Sequence, residues 1–412
     1  MTVDQATVRA RRTVERGLAD TIGFLQELVR VPSLLGMEEP AQELVEDRLR
    51  ALGFTVRSIE PNAERLASHP DSGIPLLSYE GRRCLVGTLA GGTGRSLLLN
   101  GHVDVVSEAP AERWTKPPFG AELEGGRLYG RGACDMKGGI AAMLLGVEAA
   151  LAEGPLPGAV VYQSVIEEEC GGNGALAACL EGPLADGVVI AEPTNGGFDV
   201  TAVGVIWARI TVEGSTRHAS RTDEGTHPIE TVLAVVEALH ALEAELNANP
   251  EPEFAGVERP YLFNPGALHA GDWPSMTPGT AELDVRLGLP IRMEPAEGTE
   301  RLTHAVQSVA PAARVEFRGF RARGYAFDER SPLVTLLSDC HEAVHGHRPE
   351  PEPSRATTDL RFFGPPLGPD HAVCYGPTGD NLHGIDEWVD LESIADVATV
   401  LALLLRRWGG SA

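Results

Sequence analysis

Apolar positions recur at helical spacing from Arg9 to Val31, through Val14, Leu18, Ile22, Leu25 and Leu28, and Pro32 closes the run. Ala41 to Leu52 repeats the pattern and ends at Gly53, a natural helix stop. Short apolar runs follow at Cys84–Leu89, Ser96–Asn100 and Ala159–Ile166, each the length of a buried strand. Gly139 to Leu151 reads as a helix between the last two, and Val188–Ala191 as another short strand. Strands alternating with helices predict a mostly parallel α/β sheet covered on both faces.

After Pro193 the pattern changes. Val205–Val212 predicts a strand, Pro228–Leu246 a long helix, Ala281–Leu287 a strand, Arg301–Val309 a helix and Ala313–Phe317 a strand. This β-α-β-α-β order over residues 204–319 predicts a small α+β domain inserted into a larger one made of residues 1–203 and 320–412. Helices of the first kind resume at Leu333–Val344 and Leu391–Leu405. A chain of 412 residues exceeds one typical core, so two domains fit its length.

Charge narrows the partners. With 34 Lys+Arg against 59 Asp+Glu, the net charge is −25, which opposes electrostatic binding to nucleic acid or an anionic membrane. Met1 to Arg30 has no apolar signal core, and no stretch reaches the roughly 20 apolar residues of a membrane span. The six cysteines are scattered without CxxC spacing and read as reduced, mostly buried thiols, Cys134 included. A cytoplasmic enzyme is the expectation.

The chemistry concentrates where apolar strands end. Leu97–Val106 ends in His102 and Asp104, two residues apart on an extended segment, so a metal-ligating imidazole and an orienting carboxylate could share one side. Taken alone, His-x-Asp is a weak signal. Asp135 lies where a glycine-rich loop meets a helix start; alone it reads as an N-cap. Glu167, Glu168 and Glu169 directly follow a strand, and such a run is usually a solvated turn. Here apolar and glycine neighbours suit a partly buried strand end, where like charges repel unless a cation intervenes. Glu192 ends a further strand, and His383 sits in a glycine-flanked loop. Ligands at strand ends match where open α/β folds place their sites.

In order along the chain stand GHVDVV, WTKPPF, YGRGACDMKGG, EEECGGNG, AEPT, GSTRHAS and NLHGIDE. Together they resemble the M20 family of metallopeptidases and deacylases, which includes acetylornithine deacetylase and succinyl-diaminopimelate desuccinylase. The resemblance implies a zinc-exopeptidase-like catalytic domain with an inserted lid or dimerisation domain, in a homodimer. By motif it implies that His102, Asp135 and Glu192 hold one divalent metal and Asp135, Glu169 and His383 a second, with Asp135 bridging. Two imidazoles and three carboxylates suit Zn²⁺, with Co²⁺ or Mn²⁺ as substitutes.

Aligning Gly171 with the family's D-E-E-x-G motif makes Glu168 the general base and Glu169 the ligand, with a one-residue ambiguity in the run of three glutamates. His218 resembles the lid histidine that stabilises the tetrahedral oxyanion, often from the partner subunit. Arg286 and Arg361 each resemble an arginine that grips substrate, with a structural salt bridge the alternative for both. Ser275 departs from the asparagine that many members carry there, and Trp273 stands beside it. His341, His345 and His347 match no family ligand and read as surface residues. The implied reaction is cleavage of the amide bond in an N-acylated amino acid; a dipeptidase or carboxypeptidase on the same scaffold is the nearest alternative, and a non-catalytic metal binder the more distant one.

Overall fold

A computed structural model of the chain describes residues 3–364 and 371–410. Its central sheet has six strands in the order Thr55–Ile59, Cys84–Leu89, Gly158–Val165, Gly94–His102, Gly187–Ile190 and Ala372–Cys374. The last four run parallel, and the first two add antiparallel at one edge. Leu97, Leu98 and Leu99 are successive residues of one strand and all are buried, so both faces of the sheet are covered.

Helices Gly139–Ala152 and Leu391–Gly410 pack on one another and against this sheet, and Val3–Arg30 packs on both of them. Gly139–Ala152 buries residues all round its circumference, as expected of a helix enclosed by neighbours. Glu39–Ala51 and Asn173–Glu181 pack against the antiparallel edge. The predicted helices and strands of this part all form, with ends that differ by a few residues.

A second sheet is wholly antiparallel, in the order Phe263–Ala270, Thr280–Leu289, Gly204–Glu213 and Arg314–Ala322. Ala281, Leu283, Val285 and Leu287 point into a separate apolar core, which Val232, Val235 and Leu239 of helix Pro228–Leu246 and Leu302 and Val306 of helix Pro295–Val309 complete. Glu282, Asp284 and Arg286 alternate onto the opposite face. Strand Phe263–Ala270 escaped the sequence reading because it does not alternate. It is an edge strand carrying Pro265, with a register shift between Pro265 and Ala267.

Two glycines show how closely the elements near the strand ends approach. A Cβ on Gly139, the first residue of its helix, would overlap the carbonyl oxygen of Ala191, the residue before Glu192. Gly23 lies in the first helix with no neighbouring atom within 4 Å of such a Cβ. Gly139→Ala should therefore lower the urea denaturation midpoint by the equivalent of about 1–3 kcal/mol. Gly23→Ala should raise it by about 0.5–1 kcal/mol through helix propensity alone. Equal effects from both would contradict this packing.

Candidate metal centre

Three neighbouring parallel strands deliver acidic or imidazole side chains at the same end. His102 is the last residue of its strand, and Glu168 and Glu169 follow Gly158–Val165 after a short turn. Asn100 pairs with Ile190, so two residues further His102 comes level with Glu192. His102 Nε2 stands 3.2 Å from Asp135 Oδ1 and 3.6 Å from Glu192 Oε1. His383 Nε2 stands 3.3 Å from Asp135 Oδ2 and 3.0 Å from Glu169 Oε2. Two triads result, His102–Asp135–Glu192 and Asp135–Glu169–His383, each with its ligand atoms within 4.8 Å of one another. Asp135 is common to both.

Each side chain is held by identifiable contacts. His102 Nδ1 meets the backbone carbonyl of Asp104 at 2.9 Å; a carbonyl only accepts, so Nδ1 carries a proton and Nε2 is the atom turned onto the carboxylates. The Asp104 carboxylate was expected to orient this ring but lies 3.7 Å from Nδ1. Instead it accepts from the backbone N–H groups of Glu168 and Glu169, at 3.3 and 3.1 Å. The strand ends at His102, and the chain then turns Asp104 toward the glutamate loop.

Asp135 sits in an extended conformation within the turn leading to helix Gly139–Ala152. That turn is cradled by Glu387, which sequence reasoning passed over. Its buried carboxylate accepts from the N–H groups of Gly132, Cys134 and Asp135 and from Arg131 Nη1 at 2.5 Å. The available signal was its place four residues after His383. Asn381, His383 and Asp386 all adopt left-handed backbone conformations, which persist in non-glycine residues only where the surroundings impose them. Asp386 anchors this loop by accepting from Thr115 N and Oγ1, both at 2.8 Å.

The three consecutive glutamates diverge. Glu167, also left-handed, turns into a buried network with Arg82 Nη1 at 2.6 Å and Tyr79 Oη at 2.8 Å. Glu169 reaches His383. Glu168 is buried, and its Oε1 has no hydrogen-bond partner among the described residues.

The electrostatics follow from that crowding. Burial, with Asp359 and Glu192 nearby, pushes the Glu168 carboxyl well above the usual carboxylate range. Burial and Asp135 do the same to Glu192. Burial raises Asp104 to about 7. Glu169 lifts His383 to about 11, while the two imidazoles hold Asp135 below its ordinary value despite burial. Buried carboxylates in surplus, two imidazole nitrogens turned onto them and an unpartnered carboxylate oxygen are what a pair of divalent cations would satisfy. The donor set fits two such ions.

The remaining predicted residues lie further out. Arg286 pairs across the second sheet with Trp207, and both line a cavity of about 370 Å³ with Asn264, Arg318 and His383. One of its nitrogens donates to the Arg355 carbonyl at 2.8 Å. Arg361 is buried, donating to the carbonyls of Thr358 and Gly171 at 2.8 and 3.0 Å and stacking 4.3 Å from the Phe362 ring centroid. His218 is exposed, with Nδ1 2.9 Å from Ser220 Oγ, and it is not among the residues gathered around Asp135. Ser275 is exposed beside it, its carbonyl accepting from Ala219 N. All six cysteines are buried and unpaired. The surface reading of the late histidines needs correction: His341 is only 1% exposed.

Residues 98–407 match the peptidase family M20/M25/M40. The chain belongs to that family. It is a metal-dependent hydrolase of amide bonds. Among curated M20 relatives, succinyl-diaminopimelate desuccinylases from Maricaulis maris and Phenylobacterium zucineum are each 28% identical, over 94% of this chain and 95% and 98% of theirs. Among solved structures, the dipeptidase Dug1p of Saccharomyces cerevisiae superposes with a TM-score of 0.83 at 14% identity, covering 98% of this chain and 99% of that one. The M20 metallo-carboxypeptidase Sso-CP2 of Sulfolobus solfataricus gives 0.76 at 17% identity, covering 94% and 99%. Among the described residues, no helix is long and apolar enough to cross a membrane.

Glu387 should matter to this M20 centre without touching a ligand atom. Glu387→Ala leaves Arg131 as an uncompensated buried cation and frees three N–H groups of the Asp135 turn. We expect a loss of about 3–5 kcal/mol in denaturant stability and roughly 10- to 100-fold weaker metal retention on dialysis. Unchanged metal retention would show that the turn holds Asp135 without it.

Proposed function

We propose that this chain is a two-metal N-acyl-amino-acid deacylase. Arg286 carries the reading: it brings a guanidinium to the cavity that His383 also lines, where it can grip a substrate carboxylate beside the hydrolytic centre. The desuccinylase relatives support it. His102, Asp135 and Glu192 hold one ion and Asp135, Glu169 and His383 the other, Zn²⁺ being the best match to this donor set, with Co²⁺ or Mn²⁺ able to replace it. Bound there, two divalent ions would acidify an attacking water and polarise the scissile carbonyl.

The chain's own groups do the rest. Glu168 accepts the water's proton on its free Oε1 and passes it to the departing nitrogen. Asp104 keeps the Glu168–Glu169 turn in place through two backbone N–H groups. Arg361 supports the same turn from behind through the Gly171 carbonyl, and is a positioning residue rather than a substrate ligand. His218 and Ser275 sit together on residues 204–319, which we read as a lid and dimerisation domain. Their exposure supports a homodimer in which His218 completes the partner's site and stabilises the oxyanion. The six buried, unpaired thiols support a reducing compartment, the cytoplasm.

The test is a substrate panel of N-acetyl, N-succinyl and N-formyl amino acids beside dipeptides, assayed with added Zn²⁺ or Co²⁺. The N-acyl compounds should be preferred, and Arg286→Met should raise KM at least tenfold for substrates with a free carboxylate. A preference for dipeptides would replace the deacylase reading with its peptidase alternative.

Base and ligand separate by substitution. Glu168→Gln should keep both metals and lose several orders of magnitude in kcat; Glu169→Gln should lose metal. The swapped phenotypes would exchange their roles. Dimers mixed from Glu168→Gln and His218→Ala chains, each inactive alone, should regain activity, since one site then pairs an intact Glu168 with an intact His218. Dead heterodimers would return His218 to its own subunit or remove it from catalysis.

A further inference from the structure

Helix Pro332–His345 ends in a second group of imidazoles, away from the hydrolytic centre and built without any of its residues. His341 and His345 are four apart on the helix, so they share a face, and their rings stack with centroids 4.1 Å apart. Gly346 then adopts a left-handed conformation, with its N–H donating to the Glu342 carbonyl. That reversal returns His347 to the same place, 5.3 and 5.9 Å from the other two rings. One ring nitrogen of each histidine lies within 4.8 Å of the other two.

A helix C-terminus favours a cation, which accounts for His345 by itself. It does not account for His341, which is buried and should be neutral. The δ nitrogens are engaged from outside the group: His341 Nδ1 with Tyr375 Oη at 2.8 Å, and His347 Nδ1 donating to the Arg348 carbonyl at 3.1 Å. His345 Nδ1 faces Asp396 Oδ2 at 3.9 Å. A hydroxyl and a carbonyl thus hold two of the three rings in the way proteins orient metal-ligating histidines, while Asp396 lies beyond hydrogen-bond reach of the third. His341 Nε2 is buried and has no hydrogen-bond partner among the described residues.

We propose that His341, His345 and His347 form a third metal site, for a late first-row divalent ion of the zinc, copper or nickel class. Three imidazole ligands select that group over the harder magnesium and calcium ions. Tetrahedral Zn–N bonds place ligand nitrogens roughly 3.3 Å apart, against the present spacing of at most 4.8 Å. The fourth position opens to solvent beside the exposed His347. Such an ion would tie the helix end to its following loop. Through Tyr375 and Asp396 it would also brace the end of strand Ala372–Cys374 and the C-terminal helix, where Arg11 of the first helix meets Asp396 as well. The site is independent of the reading of the hydrolytic centre.

The experiment compares zinc content and thermal midpoint of the full chain with those of His347→Gln and of His345→Gln/His347→Gln, all equilibrated against the same micromolar free Zn²⁺. His347 is exposed, so its substitution should leave folding and kcat unchanged. Wild type should hold one equivalent more than the double variant, the single variant should bind that equivalent at least tenfold more weakly, and added zinc should raise the wild-type midpoint further than the double variant's. Equal zinc content in wild type and double variant, whatever the total, would overturn the proposal.

Discussion

Six carboxylates, Asp104, Asp135, Glu168, Glu169, Glu192 and Asp359, approach one another at the end of a parallel sheet, and most of them are buried. Two unit charges 4 Å apart at an effective dielectric of 20 repel by about 4 kcal/mol, so this cluster would oppose folding if left to itself. The structure answers the repulsion unevenly. Carboxylates beside the two triads have their own donors: Glu167 has Arg82 and Tyr79, Asp104 two backbone N–H groups, and Glu387 Arg131 and three more. Among the described residues the acids of the triads meet imidazoles, and Glu168 Oε1 has no hydrogen-bond partner. Neutralisation stops where cations would be needed, and that boundary outlines the centre more sharply than the acidic residues themselves do.

Positional accuracy comes from the sheet. Parallel pairing fixes His102 against Val165 and, by extension, level with Glu192, so first-contact distances follow from strand register rather than from loop flexibility. The turn after Gly158–Val165 then does what no regular element could. With Glu167 left-handed, three adjacent glutamates leave the chain in three directions, one into an ion-paired network, one into the cluster unpartnered, one onto His383. A helix or strand would have placed two of them on one side or spread them along a face. Local strain here separates the three carboxylates, which chemistry can then use differently.

Much of this was legible in the sequence, because alternating and helical periods report burial directly. Helix Pro228–Leu246 and strand Cys84–Leu89 appear with the predicted bounds. Strand Phe263–Ala270 was illegible for the same reason: with proline, a bulge and solvent on much of its surface, it has no period to read. The triad residues were visible as polar groups ending apolar runs and by their resemblance to M20 motifs. The supports were not. Glu387 and Arg82 act across more than 80 residues of sequence, and the closeness of Glu387 to His383 does not tell which distant turn its carboxylate cradles. His341 was misread although its helix marks it: Val334, Leu337, Ser338 and His341 recur at helical spacing on one buried face, and only its polar side chain suggested the surface.

The second sheet completes the logic of the site. Its helix-covered face is apolar and closed, while its other face presents Trp207, Asp284, Arg286 and Arg318 to the cavity that His383 enters. Substrate bound there would touch metal ligands from one core and a guanidinium from the other, so any change in the angle between the two cores would alter affinity and alignment together. His218 and Ser275 sit elsewhere on that same unit, at a solvent-facing turn joined by the Ala219–Ser275 hydrogen bond. A group meant to stabilise a developing oxyanion gains nothing from exposure to water, because solvent screens it. If His218 acts in catalysis, it must be desolvated by something beyond its own hairpin, and a second chain closing over the cavity is the arrangement that supplies this while leaving the first chain's cluster intact.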